Sequence, residues 1–341
     1  MARTRYAERE WTPEALLRRV GDIRQLARVE EAVASDGSGR LWRVDVSPLS
    51  LTVLPDRGLD VGALWYRGLP MAWISPTGFR PQGGARSDWF SAFGGGFLTT
   101  CGLDNVGAPC REEGVDYPQH GRYGSLAAER AAWSGAWREG GYEVRVEGTV
   151  RQARVFGDNL LVRRRYSLRL GEATLVLDDE VANEGYAPAP LLLLYHVNLG
   201  FPLLDEETVL HFPPGPVEAR DADARVGLAE AGRSGPPASG MREQVFLRRP
   251  GGDRAEVRVD NPRLGVGLTL AYSPRQLPQL WQWRMLGEGT YVMGVEPANA
   301  TVLGRAAQRA EGALDMLAPG ETRSFHLEFS FRDLDGSEAA P

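Results

Sequence analysis

LLLLYHVNLGFP, residues 191–202, decides how this chain folds. It is an apolar run that ends in a histidine and an asparagine two positions apart. A strand alternates its side chains, so Leu192, Leu194, His196 and Asn198 share one face. Leu191, Leu193, Tyr195, Val197 and Leu199 share the other. An apolar strand whose row closes with an imidazole and an amide sets polar atoms at the rim of a core. Gly200 and Pro202 then stop the strand and leave that end open. YVMGVEP, residues 291–297, does the same with a carboxylate. Val292, Gly294 and Glu296 share a face, and Gly294 leaves room beside Glu296. An imidazole and a carboxylate aimed from two strands form a candidate acid/base pair.

The pattern around these two strands is also of strands. ARVEEAVAS and LWRVDVSP are split by the turn DGSGR, and LSLTVLPDRG and DVGALWYRG continue the rhythm. YEVRVEGTVRQAR, NLLVRRRYSLRL and TLVLDDEVAN follow from the middle of the chain. EQVFLRR, AEVRVDNP, VGLTLAYS, QLWQWRML and FHLEFSFRDL complete the set. They do not alternate with helices, which argues against a βαβ fold and for large antiparallel sheets packed as a sandwich. Thr12 with Pro13 predicts one short helix reaching about Gln25. The domain reading is an N-terminal helical segment over 1–28, a sandwich over 29–333 and a polar tail over 334–341. Residues 75–125 are rich in glycine, proline and aromatic residues and are predicted to form a long functional loop. Residues 213–240, rich in Pro, Gly and Ala, read as an excursion.

Composition narrows the function classes. Of 341 residues, 43% are hydrophobic and 25% charged, enough for a large core. The net charge is −6 with mixed signs, which speaks against a nucleic-acid surface. Neither a secretory leader nor an apolar run of ~18 residues is present, so a cytoplasmic protein without a membrane segment is expected. Cys101 and Cys110 are too few for a disulfide framework and, with His120, match no zinc spacing, so no metal is predicted. The glycines at 94–96 lack a dinucleotide-binding context. His120, in QHGRYG, sits beside Gly121 and Arg122, a hydrogen-bonding cluster inside the glycine-rich region.

LPDRGLDVG, PTGF, FGGGFLTTCGLDNVGAPC, QHGR, LLLLYHVNLGFPLLDE, EQVF and VEPAN span nearly the whole chain. Together they resemble the galactose mutarotase-like superfamily, more narrowly its DUF4432 subgroup. The resemblance implies an all-β supersandwich with a sugar site in a concave cleft. It implies an aldose 1-epimerase in which His196 is the general acid and Glu296 the general base. His120 matches a sugar-binding histidine, and Glu243 stands where an acidic residue binds hydroxyls. The arginine of a GR-x-x-NR loop has no counterpart here; Arg57 or Arg122 stands in for it. Asn198 and Asp60 complete the substrate-binding candidates. The implied substrate is a monosaccharide or sugar derivative, turned over without a cofactor by a monomer or homodimer. A non-catalytic carbohydrate-binding protein of the same fold is the alternative. A hydrolase would want two carboxylates flanking the bond, and only Glu243 could join Glu296.

Overall fold

The computed structural model describes residues 4–7, 9–80 and 88–334. Apart from Leu334, the expected polar tail lies outside the described residues, as does the 81–87 part of the glycine-rich region. Two large antiparallel sheets face one another. The first runs Glu218–Ala219, Gln244–Arg248, Gln279–Gly287, Thr290–Ala298, Leu192–Leu199, Leu98–Leu103, Asp60–Tyr66, Leu49–Leu54, Arg40–Val46 and Ala27–Val33. The second runs Arg130–Arg138, Gly141–Ala153, Asn159–Arg169, Thr174–Asn183, Thr322–Asp333, Val266–Tyr272, Ala255–Asn261 and Val209–His211.

Alternation along Leu192–Leu199 sorts its side chains between two cores. Leu193, Tyr195, Val197 and Leu199 join the main core between the sheets, where Phe97 meets Phe329 edge-on at 5.1 Å. Leu192 and Leu194 face the other way, into a smaller cluster with Val245, Leu247, Trp281 and Ala298. A strand covered on both faces reads as an unbroken apolar run, which is what residues 191–194 show. Each fully buried Leu, Val or Phe contributes ~1.5–3 kcal/mol, so the sandwich rests on this inter-sheet layer.

Three segments depart from the sequence reading. The N-terminal helix is short, Pro13–Leu17, with Thr12 Oγ1 accepting the Ala15 N–H at 3.2 Å. Gly21 and Asp22 break it, and Asp22 caps a separate 3-10 turn, Ile23–Gln25. A hairpin, Thr4–Tyr6 with Arg9–Trp11, precedes it. The glycine-rich region is more than a loop. It contributes Leu98–Leu103, a central strand whose residues are all buried, between Asp60–Tyr66 and Leu192–Leu199. The excursion is also structured. Glu218–Ala219 adds an edge strand beside Phe246 and Leu247, and Asp221 caps the helix Ala222–Val226. These short elements fix Arg220 at the end of the site-bearing sheet.

Candidate functional site

Strand register brings the two singled-out side chains together. Leu194 pairs with Ala298 and Val197 with Val295, which sets His196 directly across from Glu296. His196 Nε2 lies 3.2 Å from Glu296 Oε1, and the two side chains are only 4% and 3% exposed. The approach lacks hydrogen-bond alignment. His196 Nδ1, Glu296 Oε1 and the nearby His120 Nδ1 all lack a hydrogen-bond partner among the described residues. Buried polar atoms are nearly always bonded, and these three belong to residues that line one cleft, which makes it the candidate binding site. Gly294 makes the room. A Cβ there would overlap Glu296 Oε1 and come within 3.0 Å of Trp283 Cβ and 3.2 Å of His196 Cε1.

The pair lies on a cleft of about 480 Å³. Trp283, paired across the sheet with Gly294, forms one wall; its Nε1 donates to Glu243 Oε2 at 3.0 Å. Arg220 Nη2 donates to the other oxygen, Oε1, at 2.8 Å. The opposite wall is Trp89, whose ring stacks on Phe93 at 4.1 Å and tilts over His120 at 4.6 Å. Phe93 stands 5.1 Å from the His196 ring. The His120 backbone is in the left-handed region, φ 56°, unusual for a residue with a side chain. Bonds from His120 N to the Gly107 carbonyl and from Gly102 N to the His120 carbonyl hold it there. Its imidazole ends 6.0 Å from that of His196, ring centre to ring centre.

Residues 36–331 match the family described as "Domain of unknown function (DUF4432)". The chain belongs to that family. The DUF4432 chain is similar in structure to a Klebsiella pneumoniae protein described as a "putative aldose 1-epimerase", at TM-score 0.84 and 23% identity, covering 91% of this chain and 84% of that one. A galactose mutarotase-like protein of Clostridium acetobutylicum matches at TM-score 0.63 and 12% identity, over 91% of this chain and 100% of that one. A galactose 1-epimerase of Lactobacillus acidophilus matches at TM-score 0.58 and 13% identity, over 91% and 99%. At such identities these likenesses show the fold, which is galactose mutarotase-like. No curated protein matches the chain in sequence.

The other residues singled out in the DUF4432 sequence divide. His120 and Glu243 line the cleft with the pair. Arg220, on the excursion, lines it too and carried no sequence signal beyond an arginine in a patternless stretch. Asn198 does not reach it. Its amide donates to the carbonyls of Gly96 and His196, inside the strand edge. Asp60 points into the inter-sheet core, where it accepts from the Thr100 N–H, the Thr100 hydroxyl and Arg164. Arg57 and Arg122 line a neighbouring cavity. Arg57 donates to the carbonyls of Arg80 and Ala92, and Arg122 to Asp104. Cys101 and Cys110 are free thiols, and among the described residues no group of three His, Cys, Asp or Glu side chains could hold a metal ion. Among the described residues, no helix is long and apolar enough to cross a membrane.

Burial sets the charge state of this DUF4432 site. It pushes the Glu296 carboxyl up to about 8, with the Glu243 carboxylate adding to the rise. It depresses the His196 imidazole, with His120 as the second cause, and holds His120 down at about 4, with the Arg220 charge second. Both shifts favour the uncharged form of the pair, a carboxylic acid beside a neutral imidazole. This has a consequence for stability. A carboxyl raised on folding gives stability that is complete below its ordinary value of 4.5 and is lost as pH rises toward about 8. Relative to Glu296→Gln, the wild type therefore loses on the order of a few kcal/mol between those limits. Urea melts of both proteins from pH 4.5 to 8 measure it; parallel profiles would show Glu296 ionising freely in the fold.

Proposed function

We propose that the protein is an aldose 1-epimerase, interconverting the anomers of an aldose by acid/base ring opening. The observation that carries this is the contact of His196 Nε2 and Glu296 Oε1 at 3.2 Å, both side chains buried at an aromatic-walled cleft. The reaction needs a proton taken from the C1 hydroxyl and one delivered to the ring oxygen. Both oxygens sit on one anomeric carbon, so two groups in contact can serve both. A glycoside hydrolase instead holds its carboxyl groups ~5–9.5 Å apart across the scissile bond.

The proton count is right. One proton on the pair can sit as carboxylic acid beside neutral imidazole, which burial favours, or as carboxylate beside imidazolium. A rotation of the carboxyl that aligns Oε1 with Nε2 lets the proton pass between them and interconverts the two forms. In the second form Glu296 takes the C1 hydroxyl proton while His196 gives its proton to the ring oxygen. The bond from C1 to the ring oxygen breaks, leaving an open-chain aldehyde. Rotation about C1–C2 presents the other face, and the reverse transfers close the ring with C1 inverted. The pair ends as it began, with no net gain or loss of electrons. Glu243, His120 and Arg220 supply donors and acceptors for the remaining hydroxyls, and Trp89 and Trp283 supply apolar faces for the ring.

Two-dimensional exchange NMR on aldose anomers, across pentoses and hexoses, tests this directly. Enzyme-dependent cross-peaks between α and β signals are expected. Sugar binding without exchange would assign the cleft to a binding protein instead. Gly294→Ala offers a geometric test. Its methyl displaces the Glu296 carboxyl from the imidazole, so exchange falls roughly tenfold or more while circular dichroism stays unchanged. Wild-type exchange in that variant would show that the 3.2 Å contact is not needed.

A further inference from the structure

A bare sheet edge is a template for another strand. Three of the four edge strands of the two large sheets are guarded. Glu218–Ala219 is only two residues long. Val209–His211 is three, and there Val209 bridges to Arg233 while the Leu210 N–H donates to the Gly232 carbonyl. Ala27–Val33 carries Arg28, Glu30 and Glu31. The fourth, Arg130–Arg138, has none of these devices. It pairs with Gly141–Ala153 over all nine residues without a bulge. No proline interrupts RAAWSGAWR, and its charges are the two terminal arginines. None of its residues is buried, and among the described residues no strand pairs with its free edge. Trp133 is 47% exposed there. We propose that two copies of this chain join their Arg130–Arg138 strands edge to edge, antiparallel about a twofold axis at Ser134, so that two eight-stranded sheets become one continuous sheet.

The strand is complementary to its own copy. A twofold axis normal to the sheet runs the two strands antiparallel and keeps every side chain on its own face. A residue can then oppose only one an even number of positions away. The axis at Ser134 is the one that pairs all nine residues. With it each tryptophan meets a small residue: Trp133 faces Gly135 of the second copy, and Trp137 faces Ala131. Both pairs lie on the core side, where Ala131 and Trp137 already pack against the main core. Tyr142 roofs Gly135, because a Cβ there would meet the Tyr142 hydroxyl. The Tyr142 ring stands 5.4 Å from Trp137, edge-on. Trp133 of the second copy therefore enters an aromatic group instead of water. On the outer face Ala132 meets Ala136 and Ser134 meets its own copy, so nothing bulky holds the edges apart. Arg130 meets Arg138 at each end, but Glu143 already holds Arg138 at 3.1 Å, which blunts the repulsion. Self-complementarity along the whole strand is the reason the occupant is a second copy rather than an extended segment of another protein.

Sedimentation velocity of the full chain, from about 1 to about 200 µM, reads the assembly. Wild type is expected to form a dimer with a Kd of about 10 µM or below. Ser134→Lys sets like charges against each other across the axis and should raise that Kd about 100-fold or more. Ser134 is exposed in the single chain, so circular dichroism and urea melts of the variant should stay close to wild type. Ser134→Cys gives a second, independent reading. Opposed Cα atoms in an antiparallel pair stand ~4.5–5.5 Å apart, within disulfide reach. Under mild oxidation Ser134→Cys should form an interchain disulfide at least about tenfold faster than Val155→Cys, a control on a turn at 85% exposure. Wild type, with its free Cys101 and Cys110, sets the background. A wild type that stays monomeric at about 200 µM would overturn the proposal. So would a dimer that Ser134→Lys leaves intact, which would place the interface on another surface. Cross-linking of Ser134→Cys no faster than that of Val155→Cys would remove the axis at Ser134, and the proposal with it.

Discussion

Replacing Glu296 with glutamine should slow anomer exchange by roughly 10²–10⁴-fold while the protein still folds and binds sugar. Glutamine keeps the shape of the carboxyl and its hydrogen-bonding reach but cannot take a proton. The neighbours that shape the cleft, Trp283, Glu243 and Arg220, are bonded to one another rather than to Glu296, so their positions survive the change. His196→Asn should cause a loss of the same order, because the ring oxygen then lacks its acid. The double variant is the sharper test. If the pair moves one proton as a unit, the double variant is hardly slower than the worse single variant. If each group acted alone, the losses would multiply. Exchange NMR measures the rate, and saturation of the wild-type and variant signals by the sugar separates KM from kcat. A Glu296→Gln protein that exchanges anomers within a few-fold of wild type would remove the carboxyl from the mechanism. Preserved exchange in His196→Asn would remove the imidazole.

How far the sequence carries depends on what each residue's signal measures. Alternation in residues 191–199 and 291–297 was legible because period two is a local property of a strand. It sorts the two faces of Leu192–Leu199 correctly and puts His196 and Glu296 on named strands. Their contact is a matter of register between segments a hundred residues apart, and no local pattern encodes that. Asn198 shows the limit of face-sorting. It follows His196 by two positions, yet its amide turns to the Gly96 and His196 carbonyls. Asp60 and Arg57 sit together in RGLD, and the fold sends one to the core and the other to a loop anchor, because burial there depends on what packs against the turn. Leu98–Leu103 was hidden by its own glycine and threonines, which read as loop until strands pair with it along both edges. Arg220 was hidden for the opposite reason: a two-residue edge strand, Glu218–Ala219, is too short to show a period.

Replacing Arg164 with methionine should destabilise the fold by about 3–5 kcal/mol, through the charges it leaves behind rather than the contacts it removes. Arg164 is fully buried between the sheets. Its Nε and Nη2 bind the two oxygens of Asp179 at 2.9 and 2.7 Å, and its Nη1 binds Asp60 at 2.7 Å. The Gly58 carbonyl and the Thr100 hydroxyl take further N–H bonds. Asp60 and Thr100 lie on one sheet and Arg164 and Asp179 on the other, so this cluster ties the sandwich together. It also reaches the site: the Tyr195 hydroxyl donates to Asp179 at 2.8 Å, and Tyr195 precedes His196 in the same strand. Without the guanidinium, two buried carboxylates lose their counter-charge. Burial already raises the Asp60 carboxyl above its ordinary 3.8, and Arg164 is the chief group opposing that rise. Its removal raises the carboxyl further, and a raised carboxyl stabilises most at low pH. The deficit of Arg164→Met should therefore be smaller at pH 4 than at pH 8. Adding Asp60→Asn and Asp179→Asn removes both stranded charges and should recover most of the loss, together with any exchange activity lost through Tyr195. Denaturant melts of the single and triple variants at both pH values decide it. A single variant within about 1 kcal/mol of wild type at pH 8 would mean that water already solvates these carboxylates, and that the tie between the sheets is apolar packing alone.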